Sequence, residues 1–357
     1  MRKDIYFLEK TLELARNAEG HTSPNPMVGA VIVKNNKEIS YGFHKKSGSP
    51  HAEIEAINNA KVNIKGATLY VSLEPCCHFG RTPPCVDKII ESGIKRVVIA
   101  SLDPNPIVHG KSVSKLRKAG IKVSVGFFSK EARRLNEVFF KNMETKRPFV
   151  VVKLAQSLDG KITDGSGESK WITGEHARKF ARKLRDKYDC VLAGVNTVIK
   201  DNPRLDGVKK IPYKVIIDPQ LRIPKDAYLL KNDSQKLIIF ASTKAKKKSL
   251  KNTKVFFIKE KKGKLPVKEI LSTLNQHGIM SVFVEGGSRT AANFFEEKLV
   301  DKVHFFIAPI ILGGKSALTS VGGKGLSLRD SPKIREMTIE KIGQDMLITG
   351  YPYYGKK

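Results

Sequence analysis

Three of the four cysteines fall within ten residues, in Glu74-Pro75-Cys76-Cys77-His78-Phe79-Gly80-Arg81-Thr82-Pro83-Pro84-Cys85, and Pro50-His51-Ala52-Glu53 lies upstream. A hydrolytic zinc needs three protein ligands and one open position for water, and His51, Cys76 and Cys85 supply three. A structural zinc would want a fourth ligand, and Cys77 is a poor one because adjacent cysteines seldom both reach one tetrahedral ion. Ser49-Pro50 and Thr82-Pro83 each read as an N-cap followed by proline at the first helical position. That reading puts His51 and Cys85 in first helical turns, where free backbone N–H groups and the helix dipole stabilise thiolate. Glu53, two residues after His51, can face the same pocket near a helix start. There it would take a proton from the activated water and pass it to a leaving group.

His-x-Glu followed by Pro-Cys is the arrangement of zinc enzymes that hydrolyse an amine off a nucleobase-like ring. His51-Ala52-Glu53 with Pro75-Cys76 is similar to the cytidine-deaminase superfamily, whose second half is usually Cys-x-x-Cys. In this chain eight residues separate Cys76 from Cys85. The longer run Pro-Cys-Cys-His-Phe-Gly-Arg-Thr-Pro-Pro-Cys resembles the bifunctional riboflavin-biosynthesis deaminase/reductase family. So do Ser23-Pro24-Asn25-Pro26-Met27-Val28-Gly29-Ala30, Gly42-Phe43-His44 and Asp103-Pro104-Asn105-Pro106. By that resemblance Asn25, His44, His78, Arg81, Asp103 and Asn105 bind the pyrimidine or its ribose phosphate. Taken singly, Asn-Pro and Asp-Pro also mark ordinary turns.

The length of 357 residues suggests two or three domains. Apolar runs Met27–Val33, Ala67–Leu73, Arg96–Leu102 and Ile121–Gly126 read as strands, with helices over 51–60, 84–92, 110–119 and about 129–143. A charged amphipathic helix from Asp4 to Ala18 opens the chain and ends at Gly20, unlike an export signal. The alternation predicts an α/β/α sandwich of the cytidine-deaminase kind over residues 1–146. The charged stretch Lys141–Pro148 marks the boundary.

Residues 147–357 again read as α/β. The half opens with the strand-like run Phe149 to Gly160, and further strands are expected at Cys190–Gly194, Lys214–Asp218, Leu237–Ala241, Val255–Ile258, Ser281–Val284 and Lys302–Leu312, with helices over 174–187, 266–277 and 288–297. No Gly-x-Gly-x-x-Gly follows the first strand, so an ordinary Rossmann site is unsupported. Glu285-Gly286-Gly287-Ser288-Arg289-Thr290, a strand running through glycines into a helix, offers backbone N–H groups to a phosphate, although a plain tight turn explains it about as well. Lys153-Leu154-Ala155, Ser157-Leu158-Asp159-Gly160, Trp171-Ile172-Thr173-Gly174, Gly194-Val195-Asn196-Thr197-Val198 and Asp201-Asn202-Pro203-Arg204-Leu205 resemble the reductase half of the same family, which is dihydrofolate-reductase-like in fold. The resemblance implies NADPH contacts at Ala155, Trp171, Thr197, Asp201 and the helix start Gly287, Ser288, Arg289 and Thr290. It implies reductase substrate contacts at Ser169, Arg185, Leu205 and Glu285. Trp171 is alternatively a core anchor. The family usually has a second arginine after Leu205, where this chain reads Asp206-Gly207-Val208-Lys209-Lys210. Lysine holds phosphate as a point charge without arginine's bidentate fork.

The net charge of +30 argues for a nucleic-acid binder. Its distribution weakens that case: residues 1–147 carry 25 basic and 14 acidic side chains, a balance of +11, and the remainder 40 and 21, or +19. Its densest runs, Lys244-Ala245-Lys246-Lys247-Lys248 and Lys259-Glu260-Lys261-Lys262-Gly263-Lys264, lack interleaved aromatics that would stack bases. The expectation is therefore a cytoplasmic enzyme with one zinc per chain and NADPH, acting on phosphoribosyl-pyrimidines, with no specific nucleic acid and no membrane partner; a homo-oligomer is compatible with it. The resemblance implies removal of the 2-amino group of 2,5-diamino-6-(5-phosphoribosylamino)pyrimidin-4-one, then reduction of the ribosyl group of 5-amino-6-(5-phosphoribosylamino)uracil to ribityl. The rival readings are a tRNA deaminase with an accessory domain and a zinc-stapled binding module. The second set of motifs counts against the first, and the second would leave Glu53 without a role.

Overall fold

The computed structural model describes residues 2–79, 83–232, 236–246, 248, 250 and 253–355. The chain forms two compact units, Met1–Lys146 and Arg147–Lys357. In the first, α1 (Arg2–Arg16), β1 (Gly29–Lys34), β2 (Lys37–Phe43), α2 (Ala52–Asn58), β3 (Thr68–Val71), α3 (Cys85–Glu91), β4 (Arg96–Ile99), α4 (Lys111–Lys118), β5 (Lys122–Val125), α5 (Ser129–Leu135) and α6 (Glu137–Thr145) follow in order. The strands form one sheet in the order β2-β1-β3-β4-β5. β1 runs antiparallel to β2 and β3, and β3, β4 and β5 are mutually parallel.

Because side chains alternate along a strand, the apolar runs are buried on both faces. Ala30, Ile32, Leu69, Val71, Val97 and Ile99 pack with Ala52 and Ala56 of α2, Val86 and Ile89 of α3 and Leu116 of α4. Val31, Val33, Tyr70 and Val98, one residue out of phase, pack with Phe7, Leu8 and Leu12 of α1 and Ala132 of α5. The result is the α/β/α sandwich. Gly42 lets α2 sit directly on β2: a Cβ there would stand 2.5 Å from the Ala56 nitrogen and 2.7 Å from the Ala52 carbonyl oxygen. The start of α2, capped by His51, is thereby pressed against the sheet.

The second unit contains β6 (Phe149–Ser157), α7 (Glu175–Arg185), β7 (Cys190–Gly194), α8 (Val195–Asp201), β8 (Tyr213–Ile217), α9 (Tyr228–Asn232), β9 (Leu237–Ser242), β10 (Lys254–Ile258), α10 (Val267–Gln276), β11 (Ser281–Val284), α11 (Ser288–Glu296), β12 (Lys302–Ala308), β13 (Lys333–Ile342) and β14 (Asp345–Tyr353). They build a nine-stranded sheet in the order β10-β9-β8-β7-β11-β6-β12-β14-β13. It is parallel from β10 to β12, and the terminal hairpin adds two antiparallel strands at one edge. Val150, Val152, Leu192, Val215, Phe240 and Val282 form the core beneath α10 and α11.

Several expectations need correction. The helix expected over 129–143 is two helices, broken at Asn136, whose side chain both accepts from the Met27 N–H at 2.7 Å and donates to the Met27 carbonyl at 2.9 Å. The strand expected to reach Leu312 stops at Ala308, just before Pro309. The proline-led helix starts also fail: α2 begins at Ala52 with His51 as its N-cap, and α3 begins at Cys85 with Pro84 as its N-cap. Ser49 instead closes a turn on Lys46, and Thr82 lies outside the described residues. Strands β2, β13 and β14 and the short helices α8 and α9 were not expected.

Candidate active sites

His51, Cys76 and Cys85 converge with their ligand atoms all within 4.8 Å of one another, the group of metal-ligating type found among the described residues. The His51 Nδ1 lies 3.2 Å from the Cys85 sulfur and 3.5 Å from the Cys76 sulfur. Ligand atoms around a tetrahedral zinc are about 3.5 Å apart, given bonds of roughly 2.0–2.3 Å. The donor set and its spacing fit zinc. Cys85 is fully buried at the first position of α3, and its backbone N–H points at the Cys76 sulfur, 3.3 Å away. The hydrogen bond between the two thiols, ahead of that from His51, pulls Cys76 down to about 4, and the same bond pushes Cys85 up. His51 is raised, first by its hydrogen bond to Cys76. Cys77 turns away, and its thiol faces the Ile107 carbonyl at 3.8 Å.

The open side of this triad is a cavity of about 250 Å³ lined by Asn25, His44, His51, Glu53, Glu74, Cys76, His78, Asp103 and Asn105, with Phe139 and Val108 among its apolar walls. Glu53 is 3% exposed, and burial pushes its carboxyl up to about 7, close to where a proton carrier operates best at neutral pH. His44 lies between two partners: one ring nitrogen, Nδ1, is 3.1 Å from the Pro50 carbonyl and Nε2 is 3.2 Å from the Asn25 amide. That pairing requires Nδ1–H to donate and Nε2 to accept, and burial favours the neutral ring. Asp103 is raised to about 6 by burial and accepts from the Asn105 N–H at 2.7 Å. The buried His78 Nδ1 has no hydrogen-bond partner among the described residues, which suits a ligand in the cavity. Arg81 lies outside the described residues.

In the second unit, β11 ends at Val284 and Gly286 and Gly287 lead into α11. A Cβ on Gly287, the N-cap, would meet nothing within 4 Å, so open space lies against backbone at a helix start. That is the cradle a cofactor phosphate needs, and the residues present fit the phosphate end of NADPH. Ser288 is buried, Arg289 exposed and Thr290 partly buried, packed against Gly194 and Gly286. Thr197 and Asp201 lie on α8, and Asp201 is 3.7 Å from the Lys170 ammonium. Trp171 is no core anchor: it is 69% exposed, with the Arg178 guanidinium 4.4 Å from its ring centroid. Ser169, two residues before it, is partly buried, and Ala155 is partly buried on β6.

Arg185 at the end of α7 grips Glu285 with two N–H groups, at 2.5 and 3.0 Å. Its third contact goes to the Asp206 carbonyl at 2.8 Å, beside Leu205, which is buried with φ of 56°. Arg185 and Lys153 hold the Glu285 carboxyl below the usual range against the cost of its burial. Lys153, 3.7 Å from Glu285, is held below the usual lysine range by burial. Sequence reasoning gave Lys153 no role, although a lysine inside the apolar run Phe149–Ala155 was a signal. After Leu205, Lys209 and Lys210 use their backbone N–H groups on the Asp186 carboxylate, and the Lys210 ammonium is 3.3 Å from the Tyr188 carbonyl.

Residues 1–101 match the cytidine and deoxycytidylate deaminase zinc-binding region, and residues 148–348 match the RibD C-terminal domain. The chain is 45% identical to the riboflavin biosynthesis protein RibD of Aquifex aeolicus over 97% of both sequences, and 43% identical to that of Bacillus amyloliquefaciens over 98% of this chain and 97% of the other. It superposes on the Acinetobacter baumannii RibD structure with a TM-score of 0.90 at 35% identity, 99% of each chain covered. On a diaminohydroxyphosphoribosylaminopyrimidine deaminase/5-amino-6-(5-phosphoribosylamino)uracil reductase from Thermotoga maritima the TM-score is 0.88 at 38% identity, again over 99% of each. The chain belongs to the RibD family of bifunctional riboflavin-biosynthesis deaminase/reductases.

Proposed function

We propose that residues 1–146 hydrolyse the 2-amino group from 2,5-diamino-6-(5-phosphoribosylamino)pyrimidin-4-one, and that residues 147–357 reduce the ribosyl group of the product to ribityl with NADPH. The observation that carries the first step is the convergence of His51, Cys76 and Cys85 on a cavity that also holds a buried non-ligand carboxylate, Glu53. His51, Cys76 and Cys85 would hold the zinc, whose contribution would be to lower the pKa of water in the cavity toward ~7. Glu53 accepts the proton released from that water and returns it to the departing nitrogen, which leaves as ammonia. His44, fixed as a neutral ring, and Asn25 form one wall of the pocket. Asp103, Asn105 and His78 supply polar groups for the pyrimidine and its ribose phosphate.

In the second unit NADPH supplies the hydride, so the protein need only bind, align and exclude water. Gly287 to Thr290 receive the cofactor's phosphates, with Ala155, Trp171, Thr197 and Asp201 along the remainder. Glu285, clamped by Arg185 and flanked by Lys153, orients the ribosyl end of the substrate, with Ser169 and Leu205 beside it. An ammonia-release assay on the diaminopyrimidine, followed by NADPH oxidation on its product, tests the pair of steps.

No helix among the described residues is long and apolar enough to cross a membrane. Free thiols that serve a metal suit a reducing compartment, which supports the cytoplasm as the enzyme's location. Purified protein should hold about one zinc per chain. Cys76→Ser should abolish it, and Cys77→Ser should retain it because that thiol faces the Ile107 carbonyl; elemental analysis reads both. The charge of +30 is spread over both units, and phosphorylated ligands gain from its field. RNA should therefore bind weakly and with a steep salt dependence, as expected when released counterions supply the affinity. Specific tRNA binding that stays near nanomolar at about 150–200 mM salt would favour the tRNA-deaminase reading.

A further inference from the structure

Glu74, two residues before Cys76, is 3% exposed, and its carboxylate gathers four backbone N–H groups from one distant segment. Oε2 accepts from Asp103 at 3.3 Å and Gly110 at 3.0 Å, and Oε1 from Ser112 at 3.2 Å and Val113 at 3.4 Å. Three of these donors are at the start of α4, where Gly110, the N-cap, has no side chain to satisfy them. The fourth belongs to Asp103, in the cavity wall. The same strand end is held twice more: the Glu74 N–H donates to the Ser101 carbonyl at 2.9 Å, and the Ser112 hydroxyl to the Pro75 carbonyl at 2.5 Å. One side chain thus joins the segment that ends in the metal ligand Cys76 to the segment that carries Asp103 and Asn105.

We infer that Glu74 is a positioning residue for the deamination: it sets the Asp103–Asn105 wall in register with the His51–Cys76–Cys85 centre, so that a bound ring meets both at once. The inference rests on the deaminase reading given above. The physical requirement is a buried acceptor with two oxygens and no hydrogens. Asp103 folds back on Asn105 through Oδ1, and the His109 ring bonds the Asp103 carbonyl at 2.8 Å, so the loop is stiff within itself. A stiff loop moves as a body when its tether is altered. Glutamine has the same shape but presents an NH₂ group to two of the four donors, which removes two charge-assisted bonds and sets N–H against N–H. Such a change should shift the loop without touching the ligands.

The test uses the full-length, zinc-loaded chain with E74Q, E74D, N105A and the double variant E74Q/N105A, read by ammonia release against substrate concentration, zinc content and NADPH oxidation. E74Q is expected to keep one zinc per chain and the native reductase rate while KM for the diaminopyrimidine rises roughly tenfold or more, with kcat changed less than KM. E74D, which keeps both acceptor oxygens, should recover part of the loss. In the N105A background the E74Q effect on KM should largely vanish, because both act through the same wall. Native KM and kcat in E74Q, lost zinc, a fall in kcat at unchanged KM, or additive effects in the double variant would each overturn the proposal. If E74Q does not fold, E74D decides on the same readouts. A native chain that releases no ammonia would overturn the deaminase reading, and with it this inference; that outcome is distinct from a native chain that deaminates and an E74Q that matches it.

Discussion

Glu53→Gln is expected to keep the zinc and lose ammonia release by roughly 10²- to 10⁴-fold, the range over which a positioned proton carrier contributes. The expectation follows from three features of that side chain. It lines the cavity without belonging to the metal-ligating group, so the ion does not depend on it. It is 3% exposed, and burial lifts its carboxyl to about 7, so near neutral pH it can both take up and give back a proton. Glutamine fills the same volume but can do neither. A cation in the same pocket pulls a carboxyl pKa downward, so the acid limb of kcat/KM should fall at or below pH 7 and be missing from the variant. Elemental analysis for zinc, the ammonia assay and the pH profile check the three parts. A variant that deaminates at the native rate would remove Glu53 from the proton path and leave the cavity without another buried carboxylate so placed except Glu74 and Asp103, both occupied with backbone N–H groups.

The grouping of His51, Cys76 and Cys85 was legible in sequence because few side chains can hold zinc. A His and two Cys at those spacings, with a glutamate two residues from the histidine, narrow the chemistry before any fold is known. The strands that pack on both faces were legible for the same kind of reason, since continuous runs such as Val31–Val33 and Val97–Ile99 must be buried. What escaped notice was held by partners far along the chain or by half-exposed surfaces. β2 reads Lys-Glu-Ile-Ser-Tyr-Gly-Phe and lies at a sheet edge, with only Ser40 and Gly42 buried. β13 is exposed along nearly its whole length, and its apolar residues, Ile334, Met337, Ile339 and Ile342, fall out of strict alternation at the irregularity between Arg335 and Thr338. The break at Asn136 is set by Met27, 109 residues away. The Arg185–Glu285 clamp spans 100 residues. The helix starts were misread for a local reason: a proline after serine or threonine suits the first helical position, yet at Pro50 and Pro83 the chain stays extended for another residue or more, so that His51 itself caps α2 and Cys85 opens α3.

The two chemistries should come apart under single substitutions, because each candidate site draws its residues from one compact unit. Cys85→Ser removes a fully buried thiol from the metal group, and the protein should then be inert toward the diaminopyrimidine. It should still oxidise NADPH when given 5-amino-6-(5-phosphoribosylamino)uracil. The converse variant is Gly287→Val. Its φ of −71° is open to any residue and its Cβ would meet no protein atom within 4 Å, so the fold should tolerate the change. The added branches would stand in the space a cofactor phosphate must enter at the start of α11. That protein should release ammonia at the native rate and reduce almost nothing at NADPH concentrations that serve the native chain, with NADPH affinity lowered by about a hundredfold or more, as two or so lost backbone contacts to a charged group imply. The connection between the units would then serve to raise the local concentration of the deaminated intermediate rather than to complete either site. Circular dichroism on both variants separates this outcome from unfolding. Loss of both activities in either variant, with the fold intact, would mean that the sites work as one coupled centre and that this division of labour is wrong.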